Sequence, residues 1–412
     1  METIAPAFPK SVARAITGKI NSHVNAMIGD SRVVQGRWDK RDDAFGIFEK
    51  KELQLGKLLG SGGFSNVYEV LNFEPEHTAN TKYGNNQVAA RRFYKENATK
   101  NGQSKYVVKH LKMETMNNPS KFCMAAADLV VEAQFLSSLN HYNILKIRGW
   151  TTGGVEAYSG GDHNGYFLIL DRLSETLDKR IETWKMEQLN RSLEFSLRRL
   201  DFGNVNTAQL LSRTKIARQI ASALEYLHKQ NLIFRDLKPN NVGFDEFGTV
   251  KIFDFGLSRE LPDPCVNAND VYDMSGKIGT VRYMAPEVAL SRDYNQKVDT
   301  YSWAMLYWGC ITLEKPYADM SRAMHMSMVC SFGQRPDLTN EMPDSIKDLL
   351  KKSWSQSMYN RLTMSEVRVY LELIEKELQT ALDGTRSNSF RTMSRGPSFR
   401  RNTSNAIIRM AA

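Results

Sequence analysis

Two aspartates, Asp236 and Asp254, stand eighteen residues apart in the stretch from Ile233 to Gly256, which reads I-F-R-D-L-K-P-N-N-V-G-F-D-E-F-G-T-V-K-I-F-D-F-G. Lys238 follows the first aspartate at a distance of two and Asn241 at a distance of five, and Phe255-Gly256 follows the second. One carboxylate can orient a hydroxyl nucleophile. The other, with an amide oxygen, offers the hard ligands that Mg²⁺ takes, and a lysine sets a cation beside them. These are the groups that phosphoryl transfer requires.

Such groups work only if the rest of the chain positions them. A strand-like run at Glu52 to Leu55 leads into Leu59-Gly60-Ser61-Gly62-Gly63-Phe64-Ser65-Asn66-Val67, a glycine-rich turn between two strand-like runs. Glycine suits a backbone that closes over phosphates, because the turn needs unusual dihedrals and no side chain in the way. Alone such a turn is more often a plain hairpin. Lys109 closes the β-branched run Lys105-Tyr106-Val107-Val108-Lys109, and Glu132 lies in Asp128 to Asn140, where Leu129, Phe135, Leu136 and Leu139 fit a helical face. A surface strand lysine is commonplace, so its weight comes from the order of the surrounding features. Phe167 to Leu170 is a continuous apolar strand that turns polar at Asp171. Ala208 to Gln230 has the helical period and delivers the chain to the catalytic stretch. The apolar run Trp303 to Leu313 is too short for a membrane span and reads as a buried core helix.

In this order the stretches resemble the eukaryotic protein kinases, over about Leu53 to Ile374. The glycine loop meets G-x-G-x-x-G-x-V at Gly60, Gly62 and Val67 but carries Ser65 in place of the third glycine. Lys109 matches the lysine of V-A-I-K, and Phe234-Arg235-Asp236 stands for H-R-D, with an aromatic able to pack as the histidine does. Asp254-Phe255-Gly256, Ala285-Pro286-Glu287, Val298-Asp299-Thr300-Tyr301-Ser302-Trp303 and the pair Trp354 and Arg361 follow in family order. The wording of Gly279 to Glu287 and of Asp299 to Trp308 is most similar to the tyrosine-kinase-like branch, and Lys238 with Thr280 is the serine/threonine combination.

The resemblance implies an α+β bilobal fold, with a small antiparallel β-sheet lobe, a larger mainly helical lobe, and ATP and Mg²⁺ in the cleft. Asp236 would be the catalytic base beside Lys238, and Lys109, oriented by Glu132, would hold the α- and β-phosphates. Asn241 and Asp254 would bind the metal. Nucleotide contacts are expected from Leu59, Gly60, Ser61, Gly62, Gly63, Phe64, Ser65, Val67, Val107, the gatekeeper Leu170, the hinge Asp171 to Leu173, Gly243 and Phe253. Gly243 replaces the leucine usual in the adenine floor, and Phe253 is expected to fill the volume it vacates. Asp299 would anchor the backbone of the catalytic loop, and Arg361 would pair with Glu287. In the activation segment Arg235 faces candidate phosphorylation sites at Tyr272 and Ser275, with Thr280 near its end, which implies an upstream kinase as partner beside the protein substrate.

Domain organisation follows the same reading. Residues 1–48 form a partly ordered extension, with an amphipathic targeting helix around Ser11 to Ile28 left open. Residues 49–173 are the small lobe and hinge, and their polar insert, 71–103, is expected to be an exposed excursion marked by turns such as Asn101-Gly102. Residues 174–381 are the large lobe, whose insert 183–206 reads as a solvated helix or a docking surface. Residues 382–412 form a basic, disordered tail of R-x-x-S repeats. The whole chain of 412 residues has 42% apolar and 25% charged residues and a formal charge of +9. Six arginines against one aspartate between Asp383 and Ala412 account for five of those charges, so the balance argues against nucleic acid as the partner. Four cysteines without C-x-x-C spacing read as reduced thiols, which with no secretory signal points to the cytoplasm, the nucleus also being open. The competing class, a catalytically silent scaffold, ordinarily lacks the lysine or one of the two aspartates, and all three are present.

Overall fold

The computed structural model describes residues 8–36, 45–75, 85–196, 207–261, 272 and 281–391. Ser275, Thr280 and the R-x-x-S repeats beyond residue 391 lie outside them, as does 197–206 of the second insert.

The small lobe is built on six strands: β1 (Gly46–Phe48), β2 (Leu53–Ser61), β3 (Ser65–Phe73), β4 (Tyr106–Leu111), β5 (Ile147–Thr151) and β6 (Phe167–Asp171). Their order is β1-β5-β6-β4-β3-β2. The central strands β4 and β6 are covered on both faces, which is why they read as unbroken apolar runs. The expected antiparallel sheet is present as five strands. The sixth, β1, pairs parallel with β5, so the sheet is mixed, and residues assigned to the extension belong to it.

The first insert is more than an exposed excursion. Asn85–Glu96 forms helix α2, whose Ala90 and Tyr94, one turn apart, are buried against the sheet. Tyr94 packs with Phe48, Phe73 and Tyr106 in a second small core. Arg91 reaches the buried carboxylate of Glu52 and donates to the Ile47 carbonyl at 2.8 Å, so the insert helix is stapled to the sheet. The Asn101-Gly102 turn is present: φ values of 51° and 75° close the hairpin Thr99–Lys100 with Gln103–Ser104.

The extension also has structure. Lys10–Ile28 is helix α1, and Ile16, Ile20, Val24 and Ile28 face inward along one side. They pack against α3 (Pro119–Ser138), and Phe8 meets Phe122 edge-on at 5.6 Å. The amphipathic face around Ser11 to Ile28 is therefore used inside this fold. Asn118 caps α3 by accepting from the Lys121 amide, and Pro119 occupies its first turn.

In the large lobe, α4 (Leu177–Ser196), α5 (Thr207–His228), α6 (Lys297–Thr312), α7 (Asp344–Ser353) and α8 (Met364–Arg391) surround a core centred on α6, which is buried on all sides. Trp303 of α6 donates from Nε1 to the Ala217 carbonyl of α5 at 3.0 Å. Beyond Glu182 the described side chains of α4 are mostly exposed, the solvated face expected of the second insert. Two short strands, β7 (Val242–Phe244) and β8 (Val250–Ile252), carry the chain between the two aspartates. No helix among the described residues is long and apolar enough to cross a membrane.

Candidate active site

The site assembles where the sheet, α3 and the β7–β8 hairpin meet. Gly60 pairs with Val67 and Ser61 with Asn66, so the glycine loop is a β-turn extension of the β2–β3 hairpin, closed by Gly62 N–H donating to the Ser65 carbonyl at 2.8 Å. A Cβ added at Gly63 would meet nothing within 4 Å, which leaves the tip open toward the cavity below. That cavity, of about 330 Å³, is lined by Gly62 to Ser65, Lys109, Glu132, Asp236, Lys238 and Asp254.

Lys109 Nζ lies 2.6 Å from Glu132 of α3 and 3.0 Å from Asp254. Burial opposes its charge, but Asp254 and Glu132 outweigh burial and push the ammonium upward. Lys109 in turn holds the Asp254 carboxyl below its ordinary value, against the effect of burial. Burial drives Glu132 the other way, upward, with Lys109 resisting. A cation held between two carboxylates is positioned without a ligand's help. Asp254 itself has φ 73° and ψ 67°, a left-handed conformation uncommon outside glycine, and its neighbours constrain it there. The constraint comes from both sides. Phe253 N–H donates to the Asn241 carbonyl at 3.0 Å, and Phe255 packs edge-on against Phe234 at 5.0 Å. The aromatic replacing the histidine of H-R-D thus supports the loop by packing, as expected.

Asp236 is buried. Lys238 Nζ donates to its Oδ2 at 2.6 Å and Asn241 Nδ2 to the same oxygen at 3.0 Å. Asn241 also donates to the Asp236 carbonyl at 2.9 Å, so its amide nitrogen is fully engaged and the side-chain oxygen is the end left for a hard cation. Among the described residues no three His, Cys, Asp or Glu side chains form a metal cage. Mg²⁺ is ordinarily bound by one or two protein oxygens with phosphates and water completing the shell, and Asn241 with Asp254 fits that donor set.

Asp299 anchors the loop from below, accepting from the Phe234 and Arg235 amides at 2.8 and 2.9 Å. It also lies 2.9 Å from His228 Nε2, a partner that sequence reasoning missed because His228 reads as an ordinary helix end. Arg361 forks onto Glu287 at 2.6 and 2.8 Å, both groups buried.

On the adenine side, Val107 pairs with Leu170 across the sheet, and both belong to the main core, with Leu59, Val67, Leu173 and Phe253 packed against it. A Cβ on Gly243 would fall 3.3 Å from Phe253 Cε1 but 2.7 Å from Leu173 Cδ1. Phe253 does approach the vacated volume, yet the hinge leucine comes closer. The hinge differs from expectation at Asp171, whose carboxylate is forked by Arg148 at 2.7 and 2.8 Å and whose amide donates to the Lys146 carbonyl at 3.2 Å. That removes one hinge amide from the groups open to a nucleotide.

Arg235 donates to the Leu257 carbonyl at 2.7 Å and the Tyr294 hydroxyl at 3.0 Å. Tyr272 forms a backbone bridge with Tyr294, its amide donating at 3.0 Å. Asp128, unflagged by sequence, lines the cavity one turn before Glu132. Burial pushes its carboxyl up to about 6, and Gly256 packs so closely that an added Cβ would lie 3.2 Å from the Asp128 Cβ.

Comparison with known proteins agrees with this geometry. A family described as "Protein tyrosine and serine/threonine kinase" matches residues 53–371. The chain is 34% identical over 197 residues to RGS domain-containing serine/threonine-protein kinase A of Dictyostelium discoideum, covering 48% of this chain and 16% of that protein. It is 32% identical over 170 residues to serine/threonine-protein kinase STY17 of Arabidopsis thaliana, covering 41% and 29%. With mitogen-activated protein kinase kinase kinase 13-B of Xenopus laevis the identity is 35% over 154 residues, covering 37% and 15%. The matched segments thus span under a third of each of these relatives. The family match covers well over half of this chain, and its ordered motifs converge on one cleft: the chain belongs to the protein kinase family.

Proposed function

We propose that the chain is an ATP-dependent protein serine/threonine kinase, transferring the γ-phosphoryl group of ATP to protein hydroxyls. The observation that carries this reading is the double engagement of Lys109, 2.6 Å from Glu132 and 3.0 Å from Asp254, on the wall of the cavity that Asp236 also lines. A lysine so held is a preorganised cation where the charge of a triphosphate would lie, beneath a backbone loop that can close over it. Asn241 and Asp254 would hold Mg²⁺, which supplies neutralisation of charge on the transferring group. The Asp236 carboxylate, pinned through Oδ2 by Lys238 and Asn241, is placed to orient a substrate hydroxyl and take its proton. Leu59, Val67, Val107, Leu170, Leu173 and Phe253, all in or against the main core, would clasp the adenine beside Gly243.

Serine or threonine as acceptor rests on Lys238 with Thr280 and on the serine/threonine kinases among the relatives. Buried free thiols at Cys123, Cys310 and Cys330 support a reducing, cytoplasmic setting. An upstream kinase acting on the activation segment is consistent with Arg235 at its base, and the basic R-x-x-S tail is a candidate substrate of this same site.

The test is phosphate incorporation from labelled ATP with Mg²⁺, wild type against Asp254→Asn, with mapping of modified residues. Incorporation on serine or threonine that vanishes in the variant is the expected result. Absence of ATP binding in the wild type would overturn the reading in favour of a scaffold.

A further inference from the structure

A second cavity, of about 680 Å³, shares no lining residue with the one around Lys109 and Asp254. Its walls come from the insert hairpin 99–104, the start of β4, the hinge 171–174, and the turn 245–247 of the large lobe. Six cationic side chains line it: Lys100, Lys105, Lys146, Arg148, Arg172 and Lys251. Only three carboxylates do: Asp171, Asp245 and Glu246.

Those carboxylates are already engaged. Arg148 forks onto Asp171, Lys100 lies 2.9 Å from Glu246, and Lys251 lies 3.6 Å from Asp245. Arg172 is matched from outside the cavity by Glu69, at 2.8 Å. Lys105 and Lys146 have no carboxylate partner among the described residues, and both are held against the hinge by their backbones. The Lys105 carbonyl accepts from the Arg172 amide at 2.8 Å and the Lys146 carbonyl from the Asp171 amide at 3.2 Å. Two uncompensated ammonium groups therefore flank one concave wall. Two rings add apolar surface, Tyr142 at 70% and Phe247 at 79% exposure.

We propose that this groove docks an acidic segment of a partner protein, with carboxylates against Lys105 and Lys146 and an apolar side chain resting on Tyr142 or Phe247. Charge complementarity selects the occupant. The volume lies in the range of cavities that enclose ligands far larger than a single small anion. The groove is also a product of the insert. Lys100 bonds Glu246 and sits 5.2 Å from the centre of the Phe247 ring, so the hairpin reaches from the small lobe to the large one and supplies the outer wall. The proposal does not depend on which hydroxyl the active site phosphorylates.

The test is fluorescence anisotropy of the full chain, at about 0.15 M salt, with a labelled peptide Glu-Glu-Phe-Glu-Glu-Leu-Glu-Glu as probe. Saturable binding is expected. Lys105→Glu with Lys146→Glu should weaken it about tenfold or more, with the melting temperature and the basal rate on an uncharged peptide unchanged. Arg400→Glu with Arg401→Glu, which removes as much charge from the basic tail, should weaken it less than about twofold. Saturating ADP and Mg²⁺ should not displace the probe. If the groove variant folds poorly, Lys146→Ala at its exposed position should still weaken binding about threefold. No saturable binding, equal losses in the groove and tail variants, or displacement by ADP would each overturn the proposal.

Discussion

The most informative perturbation is at Gly243, where two neighbours compete for one vacated volume. In Gly243→Ala the new methyl group would lie 2.7 Å from Leu173 Cδ1, 3.1 Å from the Glu175 carbonyl oxygen and 3.3 Å from Phe253 Cε1. Contacts this short must relax, and the Leu173 methyl is the movable group. Driving it off its rotamer costs about 1 kcal/mol, and overpacking a filled site costs about 1–3 kcal/mol. Because Leu173 belongs to the hinge, we expect Gly243→Ala to lower unfolding stability by about 1–2 kcal/mol and to weaken ADP and Mg²⁺ binding by about three- to tenfold. A double-mutant cycle assigns the clash. In the Leu173→Ala background the penalty for Gly243→Ala should fall by about 1 kcal/mol, whereas in the Phe253→Ala background it should fall by less than about half of that. Urea unfolding and calorimetric titration with ADP read both quantities. A coupling larger with Phe253 than with Leu173, or absent with both, would refute the packing of Leu173 over Gly243 and return the adenine floor to the phenylalanine alone.

Three further outcomes are expected. Arg361→Ala leaves the buried Glu287 carboxylate unpaired and should destabilise the chain by about 3–5 kcal/mol in urea unfolding; a loss below about 1 kcal/mol would contradict burial of the pair. Ile20→Ala, at a fully buried position of α1, should cost about 2–5 kcal/mol. Since α1 packs on α3, that variant should also lower kcat/KM for ATP more than an equally destabilising large-lobe variant such as Leu349→Ala does, and equal effects would separate α1 from the Lys109 to Glu132 pair. The third concerns pH. Burial first, then Arg282 and Arg335, holds the His325 ring down from 6.5 to about 4, so the folded state favours the neutral form. Its contribution to stability is full above pH 6.5 and is lost as pH falls through about 4. His325→Phe should flatten the stability profile between pH 7 and about pH 4.5, by about 3 kcal/mol at most; parallel profiles for variant and wild type would sink the assignment.

Much of the candidate site was legible in the chain because the chemistry proposed for it constrains residue type and local spacing together. Asp236, Lys238 and Asn241 lie within six consecutive residues, and their mutual hydrogen bonds follow from one short loop. Lys109 and Glu132 were legible as a strand lysine followed by a helix glutamate. Their 2.6 Å contact nevertheless depends on how α3 lies against the sheet, which local spacing does not encode. The buried helix at Trp303 to Leu313 and the turn at Asn101-Gly102 were likewise readable, since continuous apolarity and a left-handed dipeptide are local signals.

What tertiary structure alone decided are the contacts between segments distant in sequence. Helix α1 reads as a loose extension because its apolar stripe names no partner, and the fold supplies it two, α3 and the segment Gly154–Gly160. The first insert reads as polar because its helix buries just one face, around Tyr94, while Arg91 is neutralised by Glu52, 39 residues earlier. Leu173 comes closer than Phe253 to the position of a Gly243 Cβ because a hinge residue and the strand glycine meet there in three dimensions, 70 positions apart in sequence. Periodicity and motif spacing report which face of an element is apolar and which residues can do chemistry. Which surface covers that face, and which cations remain unpaired once the lobes and the insert have closed on one another, is set by packing.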